Sequence, residues 1–153
     1  MNDYNDEYWM KHALALAEYA SQLGEVPVGA ILVKSDRIIS QAWNYTISIN
    51  DPTAHAEVIA LRLAGKILQN YRLLNTILYV TLEPCIMCIG AIIHSRIERV
   101  VFGARDHQHG TSLLLREKMG LNHRIEFKGD VLGNPCRRLL KNFFKQLRQK
   151  NNN

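Results

Sequence analysis

Two short stretches carry the residue types that could do chemistry: Thr53-Ala54-His55-Ala56-Glu57 and Pro84-Cys85-Ile86-Met87-Cys88, an H-x-E followed 30 positions after its histidine by P-C-x-x-C. A catalytic zinc keeps three protein ligands and leaves a fourth position open, and one imidazole with two thiolates meets that count. His55, Cys85 and Cys88 are the candidate ligands. Free thiols ionise above neutral pH, so the site must favour thiolates, and a helix N-terminus does so with its oriented N–H groups. Proline suits the first helical position, so Pro84 predicts a helix start that points its positive end at both sulfurs. Residues three apart lie on one helix face, which brings the two sulfurs together. Pro52-Thr53 resembles a second helix start, and the run from Ala56 to Ala64 holds good helix formers, so His55 is expected in a first turn as well.

Two thiolates and a neutral imidazole cancel a dication, which makes the ion a milder Lewis acid than a tri-histidine site and gives a nearby base a role. Glu57, two residues beyond His55, points elsewhere on the helix and serves as that base rather than as a ligand. H-x-E with P-C-x-x-C resembles a known pattern for hydrolysis at an amino-substituted ring carbon. In that chemistry Glu57 is expected to take a proton from the attacking water, deliver it to a ring nitrogen and help protonate the departing ammonia. A lone C-x-x-C is commonly a structural zinc half-site, a redox pair or two packed cysteines. A structural zinc, however, wants a fourth ligand, and His94, His107, His109, His123 and Cys136 form no evident second pair. A redox pair leaves His55 and Glu57 without a purpose.

Several elements must position these groups. Tyr8 to Leu23 reads as a helix with Met10, Leu14, Ala17, Tyr19 and Ala20 turned inward and Gly24 closing it. Val28 to Val33 and Ile38 to Trp43 are extended runs around the polar turn Lys34-Ser35-Asp36-Arg37, which predicts a β-hairpin. A polar loop from Asn44 to Asp51 leads into the first metal helix, His55 to about Leu68. Thr76 to Leu82 and Arg99 to Gly103 read as strands on either side of the Pro84 helix, so a parallel crossover is expected. Arg124 to Phe127 is the last predicted strand, and the chain is helical from Pro135 onward. Alternating strands and helices predict an α/β chain with its chemistry gathered at one end of the sheet.

The 153 residues, 47% of them hydrophobic, suit one ordinary globular domain, 1–153. The polar, acidic start from Met1 to Glu7 lacks the pattern of a signal peptide, and no apolar run approaches membrane-spanning length, so no membrane partner is expected. Three cysteines, two of them assigned to metal, point to a reducing compartment, the cytoplasm, with Cys136 left as a small packed hydrophobe.

H-x-E with P-C-x-x-C is the signature of zinc nucleobase deaminases. Further stretches, among them Glu25-Val26-Pro27-Val28-Gly29-Ala30, Asn70-Tyr71-Arg72-Leu73, His94-Ser95-Arg96-Ile97, Val101 to Asp106 and Asn122-His123-Arg124, resemble the bacterial tRNA-specific adenosine deaminases, from about Tyr8 to Phe144. The resemblance implies a three-layer α/β/α cytidine deaminase-like fold whose central, mixed, five-stranded sheet is flanked by helices. It implies one Zn²⁺ per subunit, a homodimer, and conversion of adenosine to inosine at the wobble position of an arginine tRNA. It further implies substrate-binding roles for Val26, Asn44, Ala56, Asp106 and Phe144. Without it, Asn44 reads as a turn residue ending a strand and Asp106 as a helix cap. His107-Gln108-His109 departs from the family's pattern, the segment after it to Met119 is short, and a solvent loop fits His107 and His109 better than a second metal site. Free guanine or cytosine is the rival substrate class, and a non-catalytic zinc or RNA-binding module the rival of another kind.

The net charge of +5 is local. Arg137, Arg138, Lys141, Lys145, Arg148 and Lys150 supply six of the 19 basic residues, and no acidic residue lies between 137 and 150. The apolar set Leu140, Phe143, Phe144 and Leu147 has helical spacing and is expected to pack on the body, turning the basic set of this helix, about 135–150, outward. On its own such a face is an ordinary solvated one. Beside a nucleobase-modifying site it fits phosphate contact, with Lys145 and Arg148 as binding residues for a tRNA anticodon stem-loop. The target base is expected unpaired and splayed from its loop, since a stacked base cannot reach a buried metal. For an interface between copies, the apolar run Ile89 to Ile93 is the candidate contributor.

Overall fold

The computed structural model describes residues 5–110 and 124–152. Asn122, His123 and the short segment up to Met119 lie outside these.

A five-stranded sheet, ordered β2-β1-β3-β4-β5, runs through the middle. β1 (Gly29–Lys34) and β2 (Arg37–Trp43) form the expected hairpin. Its turn places Ser35 and Asp36 both at positive φ, 51° and 57°, the pair of left-handed residues that matches the twist of the strands. β1 also pairs antiparallel with β3 (Ile77–Leu82), after which β3, β4 (Arg99–Ala104) and β5 (Glu126–Lys128) run parallel. The mixed sheet thus has an antiparallel half and a parallel half that meet at β3.

Both faces of the sheet are buried, so β1, β3 and β4 are apolar nearly throughout rather than alternating. On one face Ala30, Leu32, Leu78, Val80, Val100 and Phe102 pack with α2 (Ala56–Leu68) and α3 (Ile86–His94). On the other, Ile31, Val33, Tyr79 and Val101 meet Trp9, Met10 and Ala13 of α1 (Asp6–Gln22). α4 (Gly133–Asn151) lies along β4 and touches α1. These are the three layers of the predicted α/β/α fold.

Close packing explains one difference in α1. Its buried stripe is Trp9, Met10, Ala13, Ala17 and Ala20, while Leu14 is only half-buried and Tyr19 is exposed, its ring instead meeting Trp43 edge-on at 5.0 Å. The alanines let the helix settle on β1. A Cβ at Gly29 would stand 2.1 Å from the Ala13 carbonyl oxygen, so only glycine fits there. Asn5 caps the helix, accepting from the Tyr8 N–H at 2.9 Å, which starts it two residues before the predicted Tyr8.

The two predicted metal helices also start later than expected. His55 and Cys85 are the N-cap residues of α2 and α3, each with extended backbone, so Pro84 precedes the cap and is not the first helical residue. α4 departs further from its prediction. Leu140 and Phe143 are half-buried, but Phe144 is 40% and Leu147 43% exposed. Two of the four residues of the predicted packed face are thus not packed; among the described residues the distal half of the helix stays exposed.

Candidate metal centre and active site

β3 runs into Glu83 and Pro84 and delivers Cys85 to the N-cap of α3, with Cys88 one turn on. The C-x-x-C therefore spans the cap and the third helical residue, the relation in which a cap side chain accepts that residue's N–H. The loop after β2 likewise brings His55 to the N-cap of α2. Two helix N-termini meet here as the spacing predicts, with His55 one position and Cys85 two positions earlier on its helix than expected.

His55 Nδ1 lies 3.6 Å from Cys85 Sγ and 3.5 Å from Cys88 Sγ, and the three donor atoms all fall within 4.8 Å of one another. Tetrahedral zinc with ordinary Zn–N and Zn–S bonds separates its nitrogen and sulfur ligands by about 3.5 Å. The donor set fits that ion with a fourth position left over, and the described residues contain no other group of three that could hold a metal.

The electrostatics of the group suit a cation. Cys85 is held down to about 3 by hydrogen bonding with Cys88 and His55. Cys88 is pushed far up by its hydrogen bond to Cys85 and by burial, and His55 is raised by its bond to Cys85. One thiolate thus forms easily and the second sulfur gives up its proton when a metal takes its place, so metal uptake releases protons. Glu57, in the first turn of α2 and only 4% exposed, is raised by burial above the usual carboxylate range. It lies against Cys88 and does not belong to the donor group.

A cavity of about 250 Å³ opens over these residues, and Val26, Asn44, His55, Glu57, Cys85 and Asp106 all line it. Asn44 Oδ1 accepts the Ala56 N–H at 2.8 Å, which satisfies a free amide of the α2 N-terminus and leaves the Asn44 amide nitrogen as its donor. Ala56 itself is fully buried. Asp106 Oδ1 accepts from the Gln108 and His109 N–H groups at 3.1 and 3.0 Å, and this folds a turn that sets His109 in the cavity wall.

Other residues singled out from the sequence sit elsewhere. Phe144, Lys145 and Arg148 are on the exposed part of α4 and do not line the cavity. Cys136 is buried against Gly103, its thiol pushed up to about 11 by burial, as a packed hydrophobe should be. Of the run Ile89 to Ile93, Ile89 and Ile92 are spent on the chain's own core, and Ala91 with His94 instead faces a groove of about 760 Å³ between α2 and α3.

Four residues of the site escaped sequence reasoning as cavity residues. Thr46, Glu83 and His109 line the cavity, Glu25 lies next to its Val26, and both glutamates are buried. The signal was present: both glutamates stand in apolar surroundings close to a proline, and carboxylates are almost never buried without partners.

The comparisons agree with this geometry. The family model for the cytidine and deoxycytidylate deaminase zinc-binding region matches residues 3–104, which include all three donors and Glu57. A protein of Buchnera aphidicola subsp. Schizaphis graminum named tRNA-specific adenosine deaminase is 52% identical over 151 residues, covering 97% of this chain and 99% of its own length. A solved structure from studies of A-to-I editing by tRNA:A34 deaminases superposes with a TM-score of 0.83 at 36% identity, over 87% of this chain and 99% of that one. A solved guanine deaminase from Bacillus subtilis gives a TM-score of 0.65 at 37% identity, over 81% and 84%. With the matched region enclosing the donor group and the carboxylate, this chain belongs to the cytidine and deoxycytidylate deaminase zinc-binding family.

Proposed function

We propose that this enzyme converts adenosine to inosine in transfer RNA, at the wobble position of an arginine tRNA, with water consumed and ammonia released. The observation that carries the reading is the buried Glu57 beside a three-donor metal group, both opening on one small cavity. The names of the relatives support tRNA as the substrate class.

His55, Cys85 and Cys88 would hold the zinc, which supplies Lewis acidity that makes water nucleophilic near neutral pH. Glu57 removes a proton from the water that attacks C6 and passes it to the purine N1, then takes the proton of the new C6 hydroxyl and gives it to the amino group, which leaves as ammonia while the C6 carbonyl forms. Its raised proton affinity suits a group that must accept and donate in one cycle. Asn44 presents its amide nitrogen to the base, oriented by the bond from Ala56. Val26 packs on the base, and Asp106 shapes the opposite wall with its turn. The exposed basic face of α4, with Phe144 beside Lys145 and Arg148, binds the anticodon stem-loop outside the cavity.

Two copies form the working unit in this proposal. The groove between α2 and α3, flanked by exposed Ile67 and Tyr71, supports a self-association surface, and sedimentation of the zinc-loaded protein tests it. The setting is the cytoplasm, and no described helix is long and apolar enough to cross a membrane.

The guanine deaminase likeness favours one second reading, a free purine as substrate. A single assay separates the two. Purified, zinc-loaded enzyme is offered an arginine anticodon stem-loop, adenosine, adenine, guanine and cytosine in turn. Inosine formed on the stem-loop, with little turnover of free bases, is the expected result; turnover of guanine alone overturns the proposal.

A further inference from the structure

The cavity's outer wall is made of two loops, 44–50 and 106–110, and each is tied to the body by a carboxylate. Glu83 Oε1 accepts the Asp106 N–H at 3.0 Å. Glu25 does more. It accepts the Ile47 N–H at 3.1 Å, the Ser48 N–H at 2.7 Å and the Ser48 hydroxyl, and it is 0% exposed. Its neighbour Val26 lines the cavity, as does Thr46 at the start of the clamped segment.

A buried carboxylate is costly unless its oxygens are fully used, and a loop needs no such device merely to be a loop. Here three donors from one short segment converge on a single anion. Burial alone would raise its proton affinity, but the bonds from Ser48 and Ile47 outweigh burial and hold the carboxyl below its usual range. The anion therefore persists at neutral pH and grips the loop with charge-assisted bonds, roughly twice as strong as neutral ones.

We propose that Glu25 is a positioning residue for the deamination, holding the loop from Thr46 to Asn50 as a preformed wall so that Thr46 and the adjoining Asn44 meet the substrate without being ordered by it. This rests on the function proposed above. Ordering a mobile segment on binding subtracts from affinity, so the clamp acts on KM and leaves the proton transfers at Glu57 nearly untouched. Ile47, exposed on the same segment, is held by one of these bonds.

The test uses zinc-loaded protein and an arginine anticodon stem-loop. Glu25→Ala is expected to keep its zinc, to raise KM by about tenfold and to change kcat by less than about threefold. Amide exchange at Ile47 and Ser48 is expected to quicken by about tenfold or more while the first turn of α2 keeps its protection. Glu25→Gln, which retains one acceptor oxygen, recovers part of the KM. If Glu25→Ala does not fold, Ser48→Ala removes one donor and is expected to raise KM by about threefold. Unchanged KM and unchanged exchange in a folded variant overturn the proposal, as does a loss confined to kcat. A wild-type enzyme that turns over no adenosine substrate sinks the proposed function instead, and exchange at Ile47 and Ser48 then decides the clamp by itself.

Discussion

Glu57 and Asn44 sit on opposite sides of one division of labour. In the proposed function Glu57 moves protons and holds no metal, so Glu57→Gln should keep zinc, measured by metal analysis, yet lose about 10²- to 10⁴-fold in turnover. A loss below tenfold would remove it from the chemistry. Asn44 bridges α2 and the cavity through the Ala56 N–H. Asn44→Ala should leave the zinc content intact and weaken substrate handling, raising KM for the stem-loop; loss of zinc would reveal a purely structural cap. Both residues were reachable from the sequence, by different routes. Glu57 stands two positions from His55, so local spacing exposes it. Asn44 reads as a turn residue until the fold sets it over the N-terminus of a helix that begins 12 residues later. Glu25 was harder still, since its partners lie 22 and 23 residues away and nothing local announces them.

Among the elements, the helices α2 and α3 were legible in kind and wrong in start. Proline, the helix formers and the three-residue cysteine spacing all mark a helix N-terminus, but they do not say which residue is the cap. The structure gives the caps to His55 and Cys85, the ligands themselves. α4 shows a different limit. Periodicity tells which residues share a face, and charge tells which face is wet, yet neither says whether anything covers Phe144 and Leu147. In the proposed function that half of the helix is free for RNA. Stem-loop affinity should fall steeply with added salt, and neutralising Lys145 and Arg148 together should lessen the slope of log affinity against log salt by about 1 to 2. A slope identical to wild type would take α4 out of the RNA footprint.

At the scale of the whole molecule, the end of the sheet away from the cavity is fastened by charge. Arg99 at the start of β4 grips both Asp6 oxygens, at 2.7 and 2.8 Å, while Lys128 of β5 and the Tyr79 hydroxyl reach the same carboxylate at 3.0 and 2.9 Å. The network ties α1 to three strands. Its hydrogen bond with Arg99 above all holds the Asp6 carboxyl far below its usual range, so this stabilisation is present above the unfolded aspartate's pKa of about 3.9 and fades as pH falls toward the folded value. Asp6→Asn should lower the melting temperature by several degrees at pH 7, and the gap from wild type should close progressively below about pH 4. A pH-independent gap would mean that packing, not ionisation, is what Asp6 contributes. Zinc should stabilise the whole as well: chelation is expected to lower the melting temperature, and readdition to restore it, because an ion bound only by the folded donor group favours that state.

Gly29 and Gly103 give the molecule an uneven future under mutation. One hydrogen atom at position 29 separates a helix from a strand, and at 103 a methyl would stand 2.4 Å from the Cys136 sulfur. Neighbouring sequence space is therefore walled off at these two scaffold positions. Change can gather at Thr46 or His109, which only line the mouth of a cavity, while every descendant inherits the same two bare positions in the sheet.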